Sequence, residues 1–279
     1  MAVYFPVKAE PLQMAASLNR FGTDFGFGEA ERNFFQMDAH RPVYVAGKRQ
    51  APATRRFVVG DDPLAWRARA EAVAWMRETL QCEHPDVAIQ VAADAGAADP
   101  FDAIARHVQE DFAVMQAGED DAGRTLVGDV RFPSGWRPER LRHEGFVAIH
   151  EPVPGFPPSE KAARGMVRAM VDKGPYVRFV WTVTPDPSLD QHPDRAGELR
   201  TWGGVERVYF RVERQVTVPL PETRSSVFLI RVYMTPVDEL TAAQRAQLIE
   251  ALRVMPDEVR AYKRLPSPES FIRAVDASA

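Results

Sequence analysis

Apolar and polar positions alternate most regularly between residues 176 and 236. Three stretches there, YVRFVWTVTP (176–185), ERVYFRVERQVTVPLP (206–221) and SSVFLIRVYMTP (225–236), are long, rich in β-branched and aromatic residues, and end in turn residues. They predict strands of an antiparallel sheet, the last two joined by LPETRSS as a hairpin loop. A period near 3.6 replaces the alternation over DPLAWRARAEAVAWMRETL (62–80), where Leu64, Trp66, Val73, Met76 and Leu80 recur at helical spacing. Asp62 as N-cap and Pro63 at the first helical position mark its start. The same Asp-Pro entry predicts a helix over 99–112, and KAARGMVRAMVDK (161–173) predicts a third. TAAQRAQLIEALRVM and PDEVRAYKRL predict a closing helical pair at about 241–265.

The first sixty residues or so show little period, and FGTDFGFGEAERNFFQMD (21–38) and VYVAGKRQAPATRRFVV (43–59) read as an irregular arm around the core. The fold class is therefore α+β, a sheet covered by helices. The longest ambiguous stretch, VAADAGAADPFDA (91–103), is short and reads as a loop, so residues 1–279 form one domain. With 45% hydrophobic residues the chain can bury a sizeable core. A net charge of −4 with acids interspersed among the arginines excludes a nucleic-acid surface. No apolar run approaches the ~18 residues of a membrane span, and the N-terminus lacks the order of a signal peptide. One cysteine, Cys82, excludes an internal disulfide and a Cys-rich zinc or iron–sulfur site, and places the protein in a reducing cytoplasm.

Candidate chemistry is sparse. GFGEAE (26–31) has two glycines of a dinucleotide loop, but Glu31 stands at the third position and no strand precedes it. P-loop, G-x-S-x-G and H-E-x-x-H motifs are absent. In the strand RVERQVTVPLP, alternation sends Arg211, Glu213, Gln215 and Thr217 to one face and Val212, Arg214 and Val216 to the other. The next strand offers Arg231 and Tyr233 on one face. A polar row in the most apolar third of the chain has two readings, a solvated sheet face or a pocket wall with arginines for an anion and Glu213 as acid, base or ammonium partner. His150 also has two. It ends the apolar run Phe146–Ile149, expected as a strand, and Pro152, Pro154 and Gly155 follow, so it is a metal or heme ligand at a rim or a strand-end histidine of structural role. The other five, His40, His84, His107, His143 and His192, sit beside charges or prolines in segments expected to be exposed, and Trp136, Trp181 and Trp202 read as core.

Several segments taken together resemble the α-subunit family of heme-dependent oxidative N-demethylases. They are FPSGWRPERL and GFVAIHEPVPGF, VRFVWTV, FRVERQVTVPLPETRSSVFLIRVYMTP and MPDEVRAYKRL, and the likeness runs from about Gly22 to Leu265. Asp38 and Lys48 resemble the family's N-terminal Asp and Lys positions. The resemblance implies a PAS-like fold that binds heme b. The implied reaction uses dioxygen to convert a small secondary amine such as dimethylamine to a primary amine and formaldehyde. It further implies a reductase partner with flavin and a 2Fe–2S cluster, and a folate-binding subunit that takes up formaldehyde. By this likeness His150 ligates the iron, Arg178, Trp181 and Arg214 line the cofactor, and Glu213 and Arg211 are catalytic. Arg211 and Arg214 point to opposite faces of a regular strand, so Arg211 is placed nearer the pocket. Where the family shows Arg-x-Asn-Trp, this chain has Arg178-Phe179-Val180-Trp181, which removes an amide and implies an amine larger or more apolar than dimethylamine. A non-catalytic heme sensor on the same fold and a cofactor-free structural subunit are the alternatives.

Overall fold

The computed structural model describes residues 4–10, 18–26, 31–156, 159–203 and 205–277. Residues 27–30 of the GFGEAE stretch lie outside them. In chain order the elements are β1 (Asn19–Arg20), α1 (Arg41–Gln50), β2 (Arg56–Val58), α2 (Pro63–Glu83), α3 (Pro85–Ala93), α4 (Pro100–Ala105), β3 (Asp111–Ala117) and β4 (Gly123–Asp129). There follow α5 (Phe146–His150), α6 (Glu160–Asp172), β5 (Tyr176–Thr184), β6 (Tyr209–Leu220), β7 (Ser225–Pro236), α7 (Ala242–Arg253), α8 (Asp257–Tyr262) and α9 (Pro268–Ala277). The strands form one antiparallel sheet in the order β1-β5-β6-β7-β3-β4-β2, so the chain is α+β. Its five central strands, counted from β3, run second, first, fifth, fourth, third, the PAS-like arrangement that the resemblance implies.

The alternating stretches form β5, β6 and β7 as expected, and a turn at Pro221–Thr223 with Arg224 in the left-handed region closes the hairpin. Asp62 caps α2 by accepting from the Ala65 N–H at 2.9 Å, with Pro63 opening the helix. Its buried stripe is Ala65, Ala68, Ala72, Met76 and Leu80, whereas Leu64 and Trp66 are 45% and 55% exposed. Small side chains let the helix axis lie close to the sheet, so alanine takes the inner face and the large residues at the helix start turn outward. The helix expected over 99–112 stops at Ala105, and the chain enters β3 at Asp111. The arm holds a ten-residue helix, α1, and two sheet strands, so it is less irregular than its sequence suggests. A third helix, α9, follows the expected C-terminal pair.

One face of the sheet carries Val177 and Trp181 of β5, Val212, Arg214 and Val216 of β6, and Leu229, Arg231 and Tyr233 of β7. Helices α2, α3 and α4 cover one end of it and α7, α8 and α9 the other. The opposite face carries Arg178, Val180, Arg211, Glu213, Gln215, Phe228, Ile230, Val232 and Met234. There Phe146 of α5 and Ala163, Val167 and Val171 of α6 pack on Met115 and Ala117, while Tyr44, Phe132 and Leu189 pack around Val232 and Met234. Between these covers Val180, Glu213 and Phe228 stay partly exposed, although β6 and β7 have strands on both sides.

Candidate functional site

The face that carries Arg211, Glu213 and Gln215 is largely buried, which removes the reading of a solvated sheet face. Glu213, 12% exposed in its side chain, accepts from Gln215 Nε2 at 2.9 Å. Gln215 Oε1 in turn accepts from Arg178 Nε on the neighbouring strand at 2.7 Å. Register explains the relay, since Arg178 lies directly across from Gln215, and Gln215 and Glu213 are two residues apart on one face. Tyr262 at the end of α8 and Lys263 just after it lie at the β5 edge, where both feel the charge of Glu213. Lys263 Nζ donates to the Trp181 carbonyl at 2.8 Å, and burial pushes its pKa down to about 8 against the pull of Glu213. Burial likewise lowers Arg178, opposed by Glu213 and Tyr262, and raises the Tyr262 phenol.

His150 ends a short helix, not a strand. Four apolar residues are too few for periodicity to separate the two, and the chain closes a helical turn from Gly145 to Ile149. The turn aims the imidazole back on itself. Nδ1 lies 2.7 Å from the Phe146 carbonyl, and the ring packs against Phe146 and Phe156 at centroid distances of 4.4 and 4.8 Å. A carbonyl only accepts, so Nδ1 carries the proton and Nε2 carries the lone pair. Burial, with a smaller contribution from the facing Arg178 guanidinium, holds the ring below its ordinary pKa and therefore neutral at pH 7. Among the described residues Nε2 makes no hydrogen bond.

The other residues singled out in the sequence lie elsewhere. Arg211 is 1% exposed, donates to the Phe132 and Leu189 carbonyls at 2.7 and 2.8 Å, and lies 3.7 Å from Glu213, so it braces the carboxylate from behind. Arg214 is on the opposite face, donating to the Asn33 and Phe34 carbonyls at 2.9 and 3.3 Å. The strand is regular there, and strict alternation separates Arg214 from His150. Trp181 also faces that way, packed near Phe210 and Val212, and reaches the site only through its carbonyl. Asp38 pairs with Arg231 at 2.7 Å and Lys48 with Asp111 at 3.1 Å, in a buried ionic network beneath α1. Of the histidines expected to be exposed, His107 is buried against Asp94 and His192 is buried between Glu139 and Asp194. Glu139, His192 and Asp194 bring ligand-type atoms within 4.8 Å of one another. Those atoms are already engaged: Arg137 bonds Asp194 at 2.7 Å, His192 Nε2 faces Glu139, and His192 Nδ1 accepts from the Asp194 N–H. The group reads as a capped turn. Two shallow clefts of about 270 and 330 Å³, one beside Gly60 and one beside Arg164, touch none of these residues.

Sequence reasoning missed Gln215 as the link between Arg178 and Glu213, and missed Tyr262 and Lys263 altogether. The only signal for the last two was an aromatic–lysine pair at the end of an amphipathic helix.

The fold and site together define a single-sheet α+β protein with an imidazole whose Nε2 is unengaged among the described residues, beside a partly open, polar patch on the sheet. A family model for the heme-dependent oxidative N-demethylase, alpha subunit-like proteins matches residues 29–272, and the chain belongs to that family. Heme dependence and oxidoreductase chemistry follow from the family, as does a place in a complex of several subunits. Among the described residues no helix is long and apolar enough to cross a membrane.

Proposed function

We propose that this chain is the heme-bearing catalytic subunit of an oxidative N-demethylase acting on a secondary methylamine. His150 carries the proposal, because a neutral imidazole with Nδ1–H held by a carbonyl and Nε2 unengaged is the donor that would hold heme iron. The residues present fit heme b. Phe146 and Phe156 flank the imidazole, and Arg178 offers a guanidinium for a propionate. When bound, heme supplies the dioxygen chemistry of the overall reaction, in which amine, dioxygen, two electrons and two protons give demethylated amine, formaldehyde and water. The electrons come from a reductase partner with flavin and a 2Fe–2S cluster, and a folate-binding subunit takes up the formaldehyde.

Glu213 holds the cationic amine through Oε1, since Oε2 is engaged by Gln215, and is the atom to which the ammonium proton passes as the nitrogen reacts. Gln215 fixes the carboxylate, and the Arg211 guanidinium lies 3.7 Å behind it. Val180 lies across from Glu213 on β5 and presents an apolar wall, which favours an amine larger or more apolar than dimethylamine. A steady-state comparison with bulkier secondary methylamines tests this, and a clear preference for dimethylamine would overturn it. The sheet order alone favours a second reading, a heme-binding sensor, because one fold can host both activities.

His150→Ala tests the iron ligand. The purified chain loaded with heme should show a Soret band that His150→Ala abolishes or strongly alters while the chain stays folded. An unchanged spectrum would move the ligand elsewhere. Oxygen-dependent release of formaldehyde with an artificial reductant separates the enzyme from the sensor.

A further inference from the structure

The relay across β5 and β6 has a fixed polarity. Arg178 Nε–H can only donate, so the Gln215 oxygen 2.7 Å from it accepts and the Gln215 nitrogen is turned toward Glu213. That nitrogen donates to Glu213 Oε2 at 2.9 Å. Among the described residues Glu213 Oε1 makes no hydrogen bond, since the Arg211 guanidinium 3.7 Å away is beyond hydrogen-bond reach and gives its Nη donors to the Phe132 and Leu189 carbonyls. The carboxylate therefore keeps one unengaged oxygen. Directly across from Glu213 in register lie Val180 of β5 on one side and Val232 of β7 on the other, and neither side chain can accept an N–H. Methyl groups suit such a surface, and an unpaired N–H does not.

A protonated secondary amine carries two N–H donors, a protonated tertiary amine one, and a quaternary ammonium none. A single open acceptor between two valines matches the tertiary cation. Its one N–H meets Oε1 and its alkyl groups lie on the apolar walls, whereas a secondary cation has a second N–H that only water can take. We propose that Glu213 recognises its amine through one N–H···Oε1 bond, so that tertiary methylamines are substrates of this site as well as secondary ones and bind at least as tightly. The proposal rests on the reading of Glu213 as the anion that holds the amine. Counted on the neutral amines, a tertiary methylamine, dioxygen, two electrons and two protons give a secondary amine, formaldehyde and water. One N–CH3 bond breaks and the methyl carbon is oxidised, dioxygen is reduced with its atoms divided between formaldehyde and water, and the electrons come from the reductase partner.

Calorimetric titration of the full chain with dimethylamine, trimethylamine and tetramethylammonium tests the recognition. Trimethylamine should bind at least as tightly as dimethylamine, and tetramethylammonium about ten-fold or more weakly than trimethylamine. Gln215→Met keeps the side-chain length but removes the donor, which opens Oε2 to a second N–H, so the ratio of trimethylamine to dimethylamine affinity should fall about five-fold. Glu213→Gln should weaken both amines. Tighter binding of dimethylamine than of trimethylamine, tetramethylammonium bound as tightly as trimethylamine, or a ratio that Gln215→Met leaves unmoved overturns recognition by one bond, even where Glu213→Gln shows that Glu213 holds the amine. Absent binding of any amine, or binding insensitive to Glu213→Gln, overturns the amine reading of Glu213 itself and the proposal with it. Where dimethylamine yields formaldehyde, trimethylamine should yield it too, and trimethylamine bound without turnover overturns the activity. If neither amine yields formaldehyde, the demethylase reading fails and the tertiary-amine activity with it.

Discussion

Replacing Glu213 with glutamine preserves the shape of its side chain and removes its charge. The amide oxygen can still accept from Gln215 Nε2, now at 2.9 Å from the carboxylate, so the relay to Arg178 survives. What disappears is the anion that lies 3.7 Å from Arg211, that Arg178 and Lys263 also feel, and that would hold a cationic amine. A hydrogen bond to a charged group contributes about 1.5–3 kcal/mol. With the Glu213 side chain only 12% exposed, solvent screens little of this, and amine binding should weaken roughly ten- to hundred-fold. The effect on folding should be smaller, because Arg211 keeps its carbonyl acceptors at 2.7 and 2.8 Å and loses a contact of 3.7 Å. A cost of about 1 kcal/mol lowers the melting temperature of a chain this long by about 2–4 °C. Heme uptake should hold, since the imidazole is fixed by Phe146. Soret shifts on titration with amine, and melting of the same samples, measure all three quantities. Unchanged amine affinity with a lowered melting temperature would remove Glu213 from the site and make it the structural counter-ion of Arg211.

Two further outcomes follow from buried charges. Lys48→Met should cost about 3–5 kcal/mol in urea unfolding, because Lys48 is fully buried, pairs with Asp111 at 3.1 Å and donates to the Glu110 carbonyl; a loss under about 1 kcal/mol would show that the network relaxes around the gap. Lys263 titrates near 8 in the folded chain against an ordinary value of 10.5, so between these pH values the unfolded chain binds more protons and stability rises with pH. Relative to Lys263→Gln, the parent should gain about 2–3 kcal/mol from pH 7 to 10.5 in paired denaturation curves, and a constant difference would refute the buried ammonium.

Local rules made part of this protein legible from its sequence. Strands β5, β6 and β7 announce themselves because each alternates over nine residues or more, and the Asp62–Pro63 entry to α2 because a cap and a proline act within one turn. The alternation also separated Arg214 from Arg211 and Glu213 correctly. Strand β3 was not legible, because all seven of its residues are buried and a run covered on both faces has no period. Which residues of α2 turn inward was decided by how closely the sheet approaches, a distance that no single helix encodes.

The site itself divides in the same way. A polar row on β6 was visible, but whether water or protein covers it depends on α5, α6 and α8, which arrive from segments tens of residues away. His150 was conspicuous by its neighbours, yet the proton on Nδ1, and hence the lone pair on Nε2, comes from one turn of helix closing onto Phe146. Lys263 drew no reading from the sequence. Only packing against Trp181 draws its ammonium partly out of water, because burial is a property of the space that other elements leave and not of the residue.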